Sequence, residues 1–243
     1  MNDRRNDLRA FVLCGGLGTR LRPVLRDRPK SMALVAGVPF LELLLKQLRG
    51  KGIRQVVLGT GYMAEQIEDF FQDGTGLGLQ IQYSCEQQPL GTGGALKLAE
   101  ELLSDPVLVL NGDSYVEWSL TGMSKLLDEK AAEAVMVLHE VPDLSRYGSV
   151  TFDLEGRVLE FVEKGSRAGA GWINAGVYLM RRELVAALPA GKPISLEKDV
   201  FPGLLGGKVY GLASDGRFID IGVPADLERA QTLLAPVASD RRD

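Results

Sequence analysis

The first residues that could carry chemistry form a glycine-rich turn, Gly15-Gly-Leu-Gly-Thr-Arg20, directly after a short apolar run. Three glycines within four residues allow the backbone to approach an anion closely, and the exposed N–H groups of such a turn bind phosphate oxygens. Arg20 and Lys30 add charge, because a guanidinium offers a planar fork and an ammonium a mobile point charge. The turn therefore predicts a site for a triphosphate that loses its pyrophosphate.

Two better-known glycine motifs do not describe this turn. A dinucleotide-binding fingerprint would need a third glycine where Leu21 stands, and a Walker A loop would need a Gly-Lys-Ser/Thr sequence that is absent. A plain connection between a strand and a turn is the alternative, but it gives no reason for Thr19, Arg20 and Lys30 to gather there. We therefore favour a phosphate site of another kind.

Acidic residues follow two further strand-like segments. Asp113 ends the run Val107-Leu-Val-Leu-Asn-Gly-Asp, and Asp220 lies within Phe218-Ile-Asp-Ile-Gly-Val-Pro224. Ligands of open α/β sheets gather beyond the carboxyl ends of the strands, and carboxylates suit Mg2+. Each acid alone is more often a turn former or a helix cap. Their occurrence together with the phosphate turn predicts a Mg2+ site formed by Asp113 and Asp220.

The elements that must position these residues alternate along the chain. Short apolar runs predict strands buried on both faces at Ala10–Leu13, Val56–Leu58, Val107–Leu110 and Ala134–Leu138. Helical faces are predicted from Leu41, Leu44, Leu45 and Leu48, and from Ala95, Leu98, Ala99 and Leu102. This alternation predicts a Rossmann-like three-layer α/β/α sandwich with a mixed, mainly parallel central sheet.

The pattern changes after about residue 140. Alternating segments that predict mixed or antiparallel strands are Ser149–Phe152, Val158–Val162 and Ile173–Leu179. Helical patterns return at Leu196–Leu205 and Pro224–Leu234. With no linker or repeat in view, we expect residues 1–243 to form a single domain.

Bulk properties exclude several classes of protein. With 243 residues, 45% hydrophobic and 25% charged, the chain has the composition of a compact globular protein. A net charge of −4 without a dense basic run argues against a nucleic-acid partner. No secretory signal or apolar run of membrane-spanning length is visible, so we expect a cytoplasmic protein without a membrane partner. The single histidine, His139, excludes a His-rich zinc site, and its position in an apolar run argues against a Ser-His-Asp triad.

The glycine-rich turn, followed by Pro29-Lys30, resembles the signature of the sugar-1-phosphate nucleotidyltransferase family. Ser31 is a departure, because the family usually has proline after that lysine. The segment Pro89-Leu-Gly-Thr-Gly-Gly-Ala95 is similar to the family's base-binding loop, although alone it could be an ordinary helix start. The resemblance runs from Ala10 to about Leu234. It implies transfer of a nucleoside monophosphate from an NTP to a sugar 1-phosphate, with release of pyrophosphate.

The resemblance also implies roles for individual residues. The catalytic residues would be Arg20, Lys30 and Asp113, with Mg2+ held by Asp113 and Asp220. The nucleotide would contact Leu13, Gly15, Gly16, Gly18, Thr19, Arg20, Glu86, Gly91, Thr92, Gly93, Asn111 and Gly112. The sugar phosphate would contact Tyr147, Gly148, Glu163, Lys164, Asn174 and Gly176. The nucleotide-binding half would span about 8–140 and the sugar-phosphate half about 141–235.

The implied position of Glu86 bears on the nucleotide. A carboxylate at the edge of the base can accept hydrogen bonds from guanine N1–H and the guanine amino group, which favours GTP. Short length and segments such as Arg146-Tyr-Gly148 resemble members that use D-glycero-α-D-manno-heptose 1-phosphate. The alternative inside the family is a mannose- or other hexose-1-phosphate enzyme using GTP, UTP or dTTP.

Two hypotheses from other classes stay open. A metal-dependent glycosyltransferase would usually have Asp-x-Asp where Asn111-Gly-Asp113 stands. A non-catalytic regulator that binds nucleotide sugars would not need Arg20, Lys30, Asp113 and Asp220 together. The oligomeric state is also open, with a homo-oligomer among the alternatives.

Overall fold

The computed structural model describes residues 7–21, 23–162 and 167–239. Its β-strands are β1 Arg9–Leu13, β2 Leu34–Val35, β3 Val38–Pro39, β4 Gln55–Thr60, β5 Gln80–Cys85, β6 Val107–Asn111, β7 Ser114–Val116, β8 Ala134–Val141, β9 Ser149–Phe152, β10 Val158–Val162, β11 Gly171–Met180, β12 Val209–Ser214 and β13 Phe218–Asp220. Its α-helices are α1 Phe40–Gly50, α2 Ala64–Phe71, α3 Gly91–Leu98, α4 Leu120–Glu129, α5 Arg182–Ala186, α6 Pro224–Leu233 and α7 Ala235–Ser239. Shorter turns of 3₁₀-helix include Thr19–Leu21 and Lys30–Met32, and Leu196–Val200 is a π-helix.

A nine-stranded sheet runs in the order β10-β9-β11-β6-β1-β4-β5, with β8 beside β11 and β12 beside β8. Strands β6, β1, β4 and β5 are parallel neighbours, and so are β8 and β12. Strand β11 is antiparallel to β6, β8 and β9. The prediction of a mixed sheet is confirmed, because these parallel pairs occur together in this sheet with antiparallel strand pairs, every one of which includes β9 or β11.

Two hydrophobic cores cover opposite faces of this sheet. Alternate residues of β1 divide between them, since Ala10 and Val12 pack in one core and Phe11 in the other. Helices α1, α2, α4 and α6 contribute to the first core, whereas α3, α5 and the π-helix contribute to the second. The three-layer arrangement predicted from the sequence is thereby confirmed.

The helical predictions succeed on one face and fail on another. All four leucines predicted to share a face of α1 are buried. In the second predicted face, Ala95 and Ala99 are buried and Leu102 packs half-buried against the core, but Leu98 is 51% exposed, so the prediction is wrong at Leu98. The buried face of this stretch follows Ala95, Leu96 and Ala99, which leaves Leu98 on the outer side of the helix.

The segment after residue 195 is also less regular than predicted. A π-helix, Leu196–Val200, is followed by a 3₁₀ turn, Phe201–Leu204, in place of one continuous helix. Pro202 lacks a backbone N–H and so cannot extend an α-helical hydrogen-bond ladder. Among the helices of the described ranges, none is long and apolar enough to cross a membrane.

Strand β11 changes partner in its middle, and this change opens the sheet beside the end of β6. Ile173 pairs with Ser149 of β9, whereas Val177–Met180 pair with β6, and the register with β8 shifts between Asn174 and Tyr178. Gly176 lies in this irregular stretch with φ of +78°. Because a side chain is strained at such a φ, glycine is the residue that allows the bend.

Candidate active site

Two adjoining cavities lie beyond the carboxyl ends of the parallel strands. The first has a volume of about 370 Å³ and the second about 540 Å³. Arg20, Asn111 and Asp113 line both of them. A ligand in one cavity would therefore meet a ligand in the other at these three residues.

The first cavity gathers most residues predicted to contact the nucleotide. The predicted residues that line it are Leu13, Gly15, Gly16, Gly18, Thr19, Arg20, Lys30, Glu86, Gly91, Thr92, Asn111, Gly112 and Asp113. They come from the ends of β1 and β6, from the glycine-rich turn and from the start of α3. Residues about a hundred positions apart in the sequence therefore line the same cavity.

Close backbone packing explains two of the glycines. Gly112 N donates a hydrogen bond to Leu13 O at 3.0 Å, and a Cβ atom at position 112 would lie 2.5 Å from that oxygen. Gly18 has φ of +56°, and a Cβ atom there would lie 3.1 Å from Lys30 Cβ. Because neither glycine has a side chain, Gly18 can lie close to Lys30, and Gly112 can lie close to the end of β1.

Lys30 lies between the two predicted metal ligands. Its Nζ donates to Asp113 Oδ2 at 2.5 Å and lies 3.6 Å from Asp220 Oδ1. The pairing of β13 with β7 brings the acids together, since Asp220 lies opposite Ser114 and Ile221 N donates to Asp113 O at 3.0 Å. Lys30 and the two carboxylates thus lie together at the junction of the cavities, which the Arg20 guanidinium also lines.

The two carboxylates fit a divalent cation that the substrate helps to bind. Across the described part of the chain, no three His, Cys, Asp or Glu side chains form a metal-binding group. Mg2+ is usually held by one or two carboxylates together with phosphate oxygens and water. Asp113 and Asp220 therefore match Mg2+ as it binds with a polyphosphate, and would not form a complete cage by themselves.

Glu86 faces the first cavity from the end of β5. Its Oε2 accepts a hydrogen bond from Leu90 N at 3.0 Å. A Cβ atom at position 15 would lie 2.5 Å from its Oε1, so only glycine leaves room for this carboxylate. Burial raises the pKa of Glu86, and the hydrogen bond from Leu90 partly offsets that increase. The half-buried carboxylate can accept hydrogen bonds from a planar donor edge.

The glycine-rich turn Gly91–Gly94 lines the first cavity with Gly91 and Thr92 and packs against the segment around Ile194 with its later residues. Gly93 N donates to Ile194 O at 2.8 Å, and Ile194 N donates to Leu90 O at 2.8 Å. A Cβ atom at Gly91 would lie 2.5 Å from Ile194 O, and one at Gly93 would lie 2.9 Å from the Ile194 side chain. Gly93 is buried and does not line the cavity, so its predicted nucleotide contact is corrected: this glycine makes room for Ile194.

The second cavity receives three of the residues predicted for the sugar phosphate. Tyr147, Gly148 and Asn174 line it, together with Asp220. Gly176 does not line it, because it lies behind Asn111, where a Cβ atom would be 2.6 Å from Asn111 Nδ2. The predicted ligand contact of Gly176 is corrected to a role in placing Asn111.

Two further predicted residues, Glu163 and Lys164, lie outside the described residues. Asn111, which lines both cavities, has a buried Oδ1 that receives no hydrogen bond from the parts of the chain that the structure describes.

Residues of the π-helix were missed by the sequence analysis. Ser195, Glu197 and Lys198 all line the second cavity. Ser195 caps this helix, because its Oγ accepts a hydrogen bond from Lys198 N. A serine ahead of an acidic residue was the available signal, but such a sequence predicts only a helix start.

The sequence and the fold are similar to those of known proteins. The nucleotidyl transferase family model matches residues 9–235. A mannose-1-phosphate guanylyltransferase from Mycobacterium tuberculosis is 40% identical over 227 residues, which cover 90% of this chain and 62% of that relative. The chain therefore spans less than two thirds of that relative's length. A D-glycero-alpha-D-manno-heptose 1-phosphate guanylyltransferase from Campylobacter jejuni is 37% identical over 219 residues, which cover 90% of this chain and 96% of the relative.

A solved structure has the same fold. HddC from Yersinia pseudotuberculosis, complexed with GMP-PN, is similar with a TM-score of 0.82 and 34% sequence identity. The match covers 93% of this chain and 98% of HddC. The arrangement of strands and helices is thus shared along almost the whole of both chains.

Proposed function

The chain belongs to the nucleotidyl transferase family, and on that premise we propose that it transfers GMP from GTP to D-glycero-α-D-manno-heptose 1-phosphate, releasing pyrophosphate. The observation that carries the proposal is the common wall of Arg20, Asn111 and Asp113 between two cavities. A two-substrate transfer needs such a wall, because the reacting phosphates must meet there. The heptose is favoured because the Campylobacter jejuni relative matches over nearly its whole length.

Mannose 1-phosphate is the second candidate for the sugar substrate. It is supported by the Mycobacterium tuberculosis relative, which has the higher identity of the two but extends well beyond the matched region. Both sugars would place a phosphate at the same junction. The hydroxyl groups that differ between them would face Tyr147, Asn174 and their neighbours in the second cavity.

Groups of the glycine-rich turn, Arg20 and Lys30 would bind and orient the reacting phosphates. Backbone N–H groups of residues 15–18 and the Arg20 guanidinium would hold the triphosphate. An oxygen of the sugar 1-phosphate would attack the α-phosphorus in line, and Lys30 would offset the charge that develops. A phosphate monoester with a second pKa of about 6 is largely dianionic at neutral pH, so no side chain must remove a proton.

Asp113 and Asp220 would hold Mg2+, which supplies Lewis-acid polarisation of a phosphoryl oxygen when bound. Glu86 would accept hydrogen bonds from the guanine edge, which is the basis for preferring GTP. The cytoplasmic location stays a prediction from the sequence, and a homo-oligomer stays one of the alternatives for the oligomeric state.

Pyrophosphate release tests the proposed reaction directly. The protein is incubated with Mg2+, each of GTP, ATP, UTP, CTP and dTTP, and a panel of sugar 1-phosphates that includes the heptose, mannose and glucose forms. We expect GTP with the heptose 1-phosphate to give the highest kcat/KM. Equal use of dTTP and glucose 1-phosphate would refute the substrate assignment, and a preference for mannose 1-phosphate would select the second candidate.

Two isosteric changes test the charged junction. Lys30→Met and Asp113→Asn should each lower kcat by at least about 100-fold, the loss expected when a group that stabilises developing charge is removed. Thermal melting checks that both variants stay folded. Lys125→Met is the matched control, because Lys125 is exposed. Within the described ranges its one ion pair is with Glu129, at 3.9 Å. Near-normal rates in the Lys30 and Asp113 variants would contradict the assigned roles.

A further inference from the structure

The Glu197 carboxylate joins the walls of the two cavities. Its Oε2 accepts hydrogen bonds from the hydroxyls of Thr92 at 2.9 Å and Ser195 at 2.8 Å. Its Oε1 accepts a hydrogen bond from the Tyr178 hydroxyl at 2.9 Å. Thr92 lines the first cavity and Tyr178 the second, so one side chain contacts both.

On the side of the first cavity, this network fixes the orientation of Thr92. The Thr92 hydroxyl donates to Glu197 and accepts a hydrogen bond from Leu196 N at 2.8 Å. Its single proton is therefore used within the protein. Glu197 thus anchors the turn that starts α3, and the neighbouring Gly91 lines the first cavity in that turn.

On the side of the second cavity, the same carboxylate fixes Asn174 through Tyr178. Asn174 Nδ2 donates to the Tyr178 hydroxyl at 2.7 Å, and Asn174 Oδ1 accepts from Gly176 N at 3.0 Å. Burial, with the charge of Glu197 second, raises the pKa of Tyr178 well above its ordinary value, so this hydroxyl keeps its proton. The proton points to Glu197, which leaves the Tyr178 oxygen to accept from Asn174.

We propose that Glu197 is a positioning residue that sets the base-side turn and the sugar-side Asn174 together. The inference rests on the proposed function, because it assigns the first cavity to GTP and the second to the sugar 1-phosphate. Glu197 acts through Thr92 on one substrate and through Tyr178 and Asn174 on the other. Loss of its carboxylate should therefore weaken the binding of both substrates.

Three isosteric variants separate the two arms of the network. Thr92→Val removes the base-side hydrogen bond and should raise the KM for GTP, whereas Tyr178→Phe removes the sugar-side hydrogen bond and should raise the KM for the sugar 1-phosphate. Glu197→Gln should raise both, each by about tenfold, as expected for a lost hydrogen bond to a charged group. In the Glu197→Gln background, each of the other two changes should add less than about twofold, because coupled residues are not additive.

Asp199→Asn is the matched control, an acid-to-amide change in the same turn. Asp199 Oδ2 accepts from Ser195 N at 2.8 Å, and Asp199 lines neither cavity. Both KM values should stay within about twofold of wild type in this variant, since the change touches no member of the network beyond Ser195. Thermal melting of every variant separates a loss of folding from a loss of binding.

The inference is overturned if Glu197→Gln raises only one KM, or if it lowers the melting temperature while both KM values stay at wild-type levels. Calorimetry with a non-hydrolysable GTP analogue and with the sugar 1-phosphate repeats the comparison without turnover. A wild-type protein that binds both ligands but releases no pyrophosphate would refute the proposed function alone, and the calorimetric Kd values would still decide the role of Glu197. A wild-type protein that binds neither ligand would overturn both.

Discussion

Replacing Gly176 by alanine tests how the bend of β11 serves the site. Gly176 has φ of +78°, and a Cβ atom there would lie 2.6 Å from Asn111 Nδ2. Gly169 is a matched control, because it has φ of +84° but nothing within 4 Å of a Cβ atom. Both substitutions carry the same backbone strain, and only the one at position 176 also displaces a residue that lines both cavities.

The structure sets the size of each effect. Alanine in the left-handed region costs about 1–2 kcal/mol, so Gly169→Ala should lose about that much stability. Overpacking adds about 1–3 kcal/mol for Gly176→Ala. Moving Asn111 Nδ2 from 2.6 Å to an ordinary contact of 3.4 Å needs a shift of about 0.8 Å. A misplacement of this size lowers catalysis by up to about 100-fold, so kcat/KM should fall by about 10- to 100-fold at position 176 alone.

Urea denaturation and pyrophosphate release measure these two quantities on the same preparations. We expect both variants to unfold cooperatively, with Gly176→Ala the less stable, and only Gly169→Ala to keep the wild-type kcat/KM. Equal losses of stability in the two variants would show that no collision with Asn111 occurs. Wild-type turnover by Gly176→Ala would refute the argument that the bend places Asn111 for catalysis.

Three more predictions concern other groups. Burial raises the pKa of Glu86, so the KM for GTP should rise as pH falls through that raised value, whereas Glu86→Gln should show a high KM without this pH dependence. Arg146→Met should cost about 1–3 kcal/mol in urea denaturation, because Asp226 is buried and both of its oxygens accept from Arg146. Arg229→Met should cost under about 1 kcal/mol, since Arg229 makes one exposed contact with Asp226. The Cys14 thiol, whose pKa burial raises to about 12, should escape iodoacetamide at pH 8, while mass spectrometry finds the chain's other, exposed cysteine alkylated.

Much of the fold could be predicted from the local spacing of apolar residues, because that spacing shows directly which positions are buried. The apolar run Val107–Leu110 is a strand buried on both faces, and Leu41 and Leu48 lie on a buried helical face as their spacing predicted. The prediction failed at Leu98, because spacing alone does not reveal which of two apolar faces of a helix packs against the core. Tertiary packing decides that point.

The closeness of the ends of β1 and β6 was predictable for a related reason. Parallel strands end at one edge, so Leu13 and Asn111 had to lie near each other once both strands were recognised. Glu197 could not be found in this way, because its partner Thr92 is 105 residues distant in the sequence. A single hydrogen bond between a hydroxyl and a carboxylate leaves no repeating pattern of residue types that a sequence would reveal. Gly93 was misinterpreted because a glycine that admits a ligand and one that admits another chain segment look alike in sequence.

The docking of Ile194 onto the turn that begins α3 has a consequence for how the molecule assembles. That turn is held by a segment made about a hundred residues later, so a growing polypeptide that ends near residue 140 lacks the partner of Leu90 and Gly93. GTP should therefore gain affinity only late in synthesis, after Ile194 has been added. A truncated amino-terminal fragment should bind the nucleotide poorly even where its strands and helices have formed.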